Sequence, residues 1–191
     1  MPFDDDRDSE NDSSLIGLGF IPLVPFGWCH FARPEGSQSF ATIGSFDCDI
    51  NEDLSKALAV SLRRSNLFKD AYFSFGGEQE KANLIITAHI NKFYYRGKFI
   101  TYGLSSFGCI FWLFGAPNAT SFNEVNLNLY MKNKDTIVWE YTISGDGGYW
   151  QSLYYNYGYD VKDFSKILQN GYNEAIYDLQ KKMRDNPEAF K

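Results

Sequence analysis

Apolar residues along the chain recur at two spacings, and each spacing predicts an element. Leu54, Ala57, Leu58, Ser61 and Leu62 fall at i, i+3 and i+4 steps, the stripe of a half-buried helix over about 52–66. Asn51 stands at its N-cap, Glu52 and Asp53 in its first turn, and Arg63 and Arg64 in its last, which suits both ends of the helix dipole. A longer stripe (Phe164, Ile167, Leu168, Tyr172, Ala175, Ile176, Leu179, Met183) predicts a second helix over about 161–183. Asp160 caps it, Asp163 takes the capping-box position, and Pro187 helps to end it.

The second spacing is two. Leu84, Ile86, Ala88 and Ile90 alternate with Ile85, Thr87, His89 and Asn91, predicting a strand over 84–95 with one face buried. Val125, Leu127, Leu129 and Met131 alternate with Glu124, Asn126, Asn128 and Tyr130. Ile137, Trp139, Tyr141 and Ile143 repeat the pattern, and Asn133-Lys134-Asp135 joins the two runs as an antiparallel hairpin. Shorter strands are expected within Ser39–Asp47, from Phe40, Thr42 and Phe46, and at Ala71–Phe75 before a turn at Gly76-Gly77. This order predicts an α+β fold: a two-layer sandwich, mostly antiparallel, of four to five strands with two main helices on one face.

Charge and composition sharpen the picture. The 191 residues suit one domain, and 44% hydrophobic residues supply a real core, which excludes global disorder. The chain carries 18 basic and 24 acidic side chains, and six of those acids (Asp4, Asp5, Asp6, Asp8, Glu10, Asp12) lie in the first twelve residues against Arg7 alone. Residues 1–14 therefore read as a disordered acidic tail, mobile and dispensable, with 15–191 as the folded domain. A near-neutral body behind an acidic tail excludes nucleic acid as a partner. A mean hydropathy of −0.35 excludes a polytopic membrane protein.

Two stretches carry no formal charge: 13–32 and 99–123. Pro22, Pro25 and three glycines break the first, which predicts an extended apolar segment laid across a core or a partner. The second interrupts the sheet as an insertion far longer than a hairpin connection. Phe107, Ile110, Phe111, Trp112 and Phe114 at its centre are candidates for a face toward a protein partner, a second copy or a peripheral membrane surface. The alternative is that the insertion folds back on 15–28 and closes the second face of the sheet. Aromatics make up 18% of the chain, and Tyr149, Trp150, Tyr154, Tyr155 and Tyr157 form a second cluster. Polar-tipped rings suit a small sugar or lipid ligand, or simple packing over a sheet edge. Gly145-Asp146-Gly147-Gly148 before them reads as a flexible turn, because no helix start or phosphate-binding Lys follows.

Catalytic constellations are missing. His30 and His89 are the only histidines, and adjacent Cys29 and His30 point apart in an extended segment. Cys29, Cys48 and Cys109 lack metal or redox spacing; Cys29 and Cys109 could pair, or remain buried and reduced. Asp47, Asp49, Glu52 and Asp53 read as helix-start acids. The expectation is a non-enzyme with no cofactor and no metal.

Three segments carry a family resemblance: Leu62-Arg63-Arg64-Ser65-Asn66-Leu67-Phe68, Ala82-Asn83-Leu84-Ile85-Ile86-Thr87-Ala88-His89-Ile90 and Thr136-Ile137-Val138-Trp139-Glu140. Over about 50–183 the chain resembles small bacterial envelope lipoproteins of the group that includes the TolB N-terminal domain and the curli-secretion-channel protein. The resemblance implies an α+β domain acting in assembly, export or binding at the periplasm or outer-membrane periphery. The acidic start lacks the basic region of a signal peptide, and Trp28 is too large to precede a processed cysteine. A cytoplasmic chain and a mature one whose export signal has been removed both fit.

Overall fold

The computed structural model describes residues 1–8, 10–14, 21–36, 49–75, 82–134, 136–156 and 159–190. Six strands form one sheet: β1 (Asp4–Asp5), β2 (Asn11–Ser13), β3 (Phe26–Phe31), β4 (Leu84–Ile100), β5 (Ala119–Asn133) and β6 (Thr136–Gln151). Their order is β2-β3-β4-β5-β6, antiparallel throughout, with β1 added parallel to β4. The helices are α1 (Ile50–Ser65), the short α2 (Cys109–Leu113) and α3 (Tyr159–Asp185). The chain is thus an α+β protein built on an antiparallel sheet. The strand expected within 39–47 lies outside the described residues.

The hairpin forms with the predicted alternation from Trp139 onward, pairing Leu127 with Ile143 and Leu129 with Tyr141, while a bulge between Ile137 and Trp139 leaves Ile137 exposed and off the buried face. Val125, Leu127 and Leu129 are fully buried, and the neighbours of opposite parity are not. β4 needs a correction of phase. A bulge at Asn91 shifts its register, because Ile90 faces Leu127 while Lys92 faces Asn126. Ala88 and Ile90 are buried before the bulge, and Phe93, Tyr95 and Gly97 after it. A strict period of two that counted Asn91 in the ladder would instead turn Lys92, Tyr94 and Arg96 inward.

β6 also runs further than its alternation suggests, straight through Gly145-Asp146-Gly147-Gly148. These glycines are not a turn. α3 packs so closely on β6 that a Cβ at Gly145 would stand 2.7 Å from Cγ2 of Ile167. Phe164 of α3 stacks on Phe93, and the Trp139 indole donates to Asp178. The Tyr172 hydroxyl donates to the carbonyl of Leu54, joining α3 to α1. α1 starts two residues before the expected point: Asp49, not Asn51, is the N-cap and accepts from the Glu52 amide. Asp160 falls inside the first turn of α3 instead of capping it. Residues 71–75 form no strand; the Ala71 carbonyl that would enter a ladder accepts from the Arg63 guanidinium.

The largest correction concerns residues 1–14. Phe3 is only 4% exposed, in the main core, and its amide donates to Asn51. Asp4–Asp5 pair with His89–Ile90, and Asn11–Ser13 with Cys29–Phe31. Arg7 is 6% exposed and binds Asp5 and Glu35, while Arg33 binds Asp5 at 2.7 Å. The acidic run is therefore tied down by two arginines, one of them 28 positions away. Composition sees the net charge of the run but not the folding partner that neutralises it.

Candidate functional site: an uncharged end of the sheet

Antiparallel order brings the start of β3, the end of β4, the start of β5 and the end of β6 to one edge of the molecule. Phe26 faces Ile100, Phe99 faces Ala119, and Ala119 faces Gln151. The connections that leave this edge are 21–25, 101–118 and 152–156, and none of them contains Asp, Glu, Lys or Arg. The insertion is shorter than the charge-free run, because its first two and last five residues belong to β4 and β5.

Backbone and side-chain hydrogen bonds hold the three connections together. The amides of Thr101 and Tyr102 donate to Pro25, and that of Leu23 to Gly103. The Thr101 hydroxyl donates to Val24, the Tyr102 hydroxyl to Pro117, and the Trp112 indole to Ile100. Tyr154 reaches across from the β6 side and donates to the Leu113 carbonyl at 2.8 Å. Gly108 sits so close to Thr101 that an added Cβ would lie 2.6 Å from its carbonyl carbon. Leu23, Tyr102 and Ser105 adopt left-handed backbone, at φ 72°, 58° and 54°. Such conformations are rare in residues with a side chain and cost roughly 1–2 kcal/mol each.

With their polar groups turned inward, these connections turn apolar side chains outward. Leu23 is 89% exposed, Phe114 83%, Phe107 73% and Leu113 63%. Ile21, Leu104, Ile110 and Phe111 are also exposed. Of the five insertion residues singled out from sequence, Trp112 is the exception. It is half-buried, edge-on to Phe99 at 4.8 Å, and fastens α2 to the sheet.

The aromatic cluster after β6 is split. Tyr149 and Trp150 point to opposite faces of the strand. Tyr149 accepts from Lys166, while Trp150 is exposed beside Thr120. They cannot sandwich one ligand. Tyr154 and Tyr155 are exposed and join the apolar end, and Tyr157 lies outside the described residues.

The first charges met along β4 from this end are positive. Lys98 lies over the Phe26 ring at 4.9 Å, and Arg96 over Phe122 at 5.9 Å. Glu124 pairs with Lys92 at 2.9 Å and lies 3.9 Å from Arg96. The chain matches no family model, no curated protein and no solved structure. The geometry is therefore the ground on which function is argued.

Other candidates are sparser. A cavity of about 490 Å³ lies at the opposite end of β4, between Leu58 and Leu62 of α1, Phe68, Phe73, Leu84 and Met131. It includes none of the aromatic residues singled out from sequence. His89 contacts Asp6 at 3.0 Å, and His30 packs edge-on to Tyr94. Cys29 is buried and Cys109 partly buried, and burial raises the pKa of Cys109. Among the described residues no group of three or more His, Cys, Asp or Glu could hold a metal ion. None of the described helices is long and apolar enough to cross a membrane.

The sequence marked the insertion and the aromatic cluster separately. The expected folding of the insertion back on 15–28 is seen over 21–25, and what the sequence missed is that Tyr154 belongs with them. The signal available for 21–25 was the shared lack of charge in 13–32 and 99–123.

Proposed function

We propose that this protein is a non-catalytic component of the bacterial cell envelope that assembles with or binds a partner through its uncharged end. Its body is read as a two-layer α+β sandwich, with both long helices against one sheet face and the partner-facing end built from strand connections. One observation carries the reading: three connections, distant in sequence and free of charge, converge through hydrogen bonds between them and leave their apolar side chains exposed. A monomer that kept this end in water would gain nothing from the arrangement. The location at the periplasm or outer-membrane periphery rests on the family resemblance alone.

Solution mass with and without detergent tests the proposal. The expected result is self-association, or detergent bound by the uncharged end. A monodisperse monomer that binds no detergent overturns it. A small-ligand module is the second reading, favoured by the 490 Å³ cavity beside α1 and not by the divided Tyr149–Tyr159 cluster.

A further inference from the structure

We propose that the uncharged end docks on the interfacial zone of an anionic lipid bilayer, with Leu23, Phe107, Leu113 and Phe114 entering the headgroup–acyl boundary. The inference rests on the binding reading above and commits it to one occupant. Three observations favour lipid over a protein surface.

The first is hydrogen bonding. Chain entering an apolar phase must bring its own partners, because lipid tails offer none. The α2 turn does so: the amides of Phe114, Gly115 and Ala116 all donate to carbonyls within 111–112. The hydroxyls of Tyr102 and Tyr154 and the indole of Trp112 are likewise spent inside the end.

The second is the layering of side chains. The three most exposed side chains of the end, Leu23, Phe114 and Phe107, are purely apolar. The same end carries polar-tipped rings, Tyr102, Trp150, Tyr154 and Tyr155, the residue types that settle at headgroup depth.

The third is charge. Lys98 is the first charged residue of β4 behind the tips, placed to meet lipid phosphates, and Arg96, which follows it, lies 3.9 Å from the Glu124 carboxylate. The acidic N-terminal run, which holds most of the net negative charge, lies further back. Asp8 bonds Tyr94, and Asp4 and Asp6 flank His89. Tyr94 is six residues from the end of β4, about 20 Å at strand rise. That distance is about twice the Debye length at physiological salt, so repulsion from the acidic segment is screened while Lys98, two residues from the end of β4, stays close.

The test is flotation of the full chain with phosphatidylcholine vesicles, with and without phosphatidylglycerol. Wild type should float with the phosphatidylglycerol vesicles and release as salt rises. Phe107→Ser and Phe114→Ser should each weaken binding about tenfold. Lys98→Glu should weaken binding to the anionic vesicles at least about fivefold and leave the weaker binding to neutral ones unchanged. Ile137→Ser, an exposed apolar residue at the opposite end of β6, should change nothing, and unfolding midpoints confirm that every variant is folded.

Failure to float with either vesicle, or flotation insensitive to the Phe substitutions, overturns the lipid inference. If solution mass then shows an oligomer that Phe107→Ser/Phe114→Ser dissociates, the binding reading stands with a second copy as the occupant. If neither flotation nor mass responds to the double variant, both readings fall.

Discussion

Leu127 and Asn128 are neighbours in β5, yet one is fully buried and the other shares a hydrogen bond with Thr142 near the surface. Leu127→Ala or Leu129→Ala should therefore cost about 2–5 kcal/mol, lost transfer energy plus a cavity. Asn126→Ala and Asn128→Ala should each cost under about 1.5 kcal/mol, the scale of one net hydrogen bond. Urea unfolding of the four variants checks the register, and equal losses would contradict it. Tyr172 gives a pH signature at the same scale. Burial raises its phenol pKa above the ordinary value, and its hydroxyl donates to Leu54. The folded state keeps the proton while the unfolded chain loses it near pH 10. This stabilisation is thus complete below about pH 10 and disappears as pH rises toward the folded value. Tyr172→Phe should remove that alkaline loss at a cost of about 1 kcal/mol at neutral pH, read from unfolding curves on both sides of the transition.

At the scale of elements, β4 and the N-terminal segment carry the sharpest expectations. Deleting Asn91 removes the bulge and leaves Ile90, Phe93 and Tyr95 facing the core in an unbroken alternation, with Lys92 still opposite Asn126. That variant should still fold cooperatively with a near-UV circular dichroism spectrum like that of the full chain, and loss of that signal would contradict the register. The N-terminal segment is an element of the sheet, so removing it should hurt. Phe3→Ala alone should cost about 3–5 kcal/mol, the usual loss for a core phenylalanine. Acid should weaken the segment as well. Burial would raise the Asp5 carboxyl, but the Arg7 hydrogen bonds and the charges of Arg7 and Arg33 outweigh it and hold it below the ordinary carboxylate value. Its contribution is present above about pH 4 and is lost as pH falls through the depressed folded value. The stability gap between the full chain and one lacking residues 1–8 should narrow over that acid range.

For the molecule as a whole, exposure separates binding from stability. Phe107, Leu113 and Phe114 touch little of the core, so Ser in their place should move the unfolding free energy by about 0.5 kcal/mol or less. The same substitutions should change solution mass or surface binding strongly. Trp112→Ser should do the reverse and loosen the end itself, because it removes the indole bond to Ile100 and the contact with Phe99. Thermal unfolding beside detergent binding distinguishes these two kinds of residue.

Periodicity alone determined the long helices, the β5–β6 hairpin and the first half of β4, because each buries one face and a buried face imprints its period on the sequence. Lack of charge marked the insertion for the same reason: side-chain chemistry is local and can be read residue by residue. Tertiary structure decided the rest. The bulge at Asn91 follows from which residues had to face α3, and the glycines of β6 from how closely that helix approaches. The acidic segment joins the sheet because Arg33, distant in sequence, meets Asp5. The uncharged end exists because an antiparallel sheet returns β3, β4, β5 and β6 to one edge, where Leu23 meets Gly103 and Tyr154 meets Leu113. Those are relations between distant residues, and no local pattern contains them.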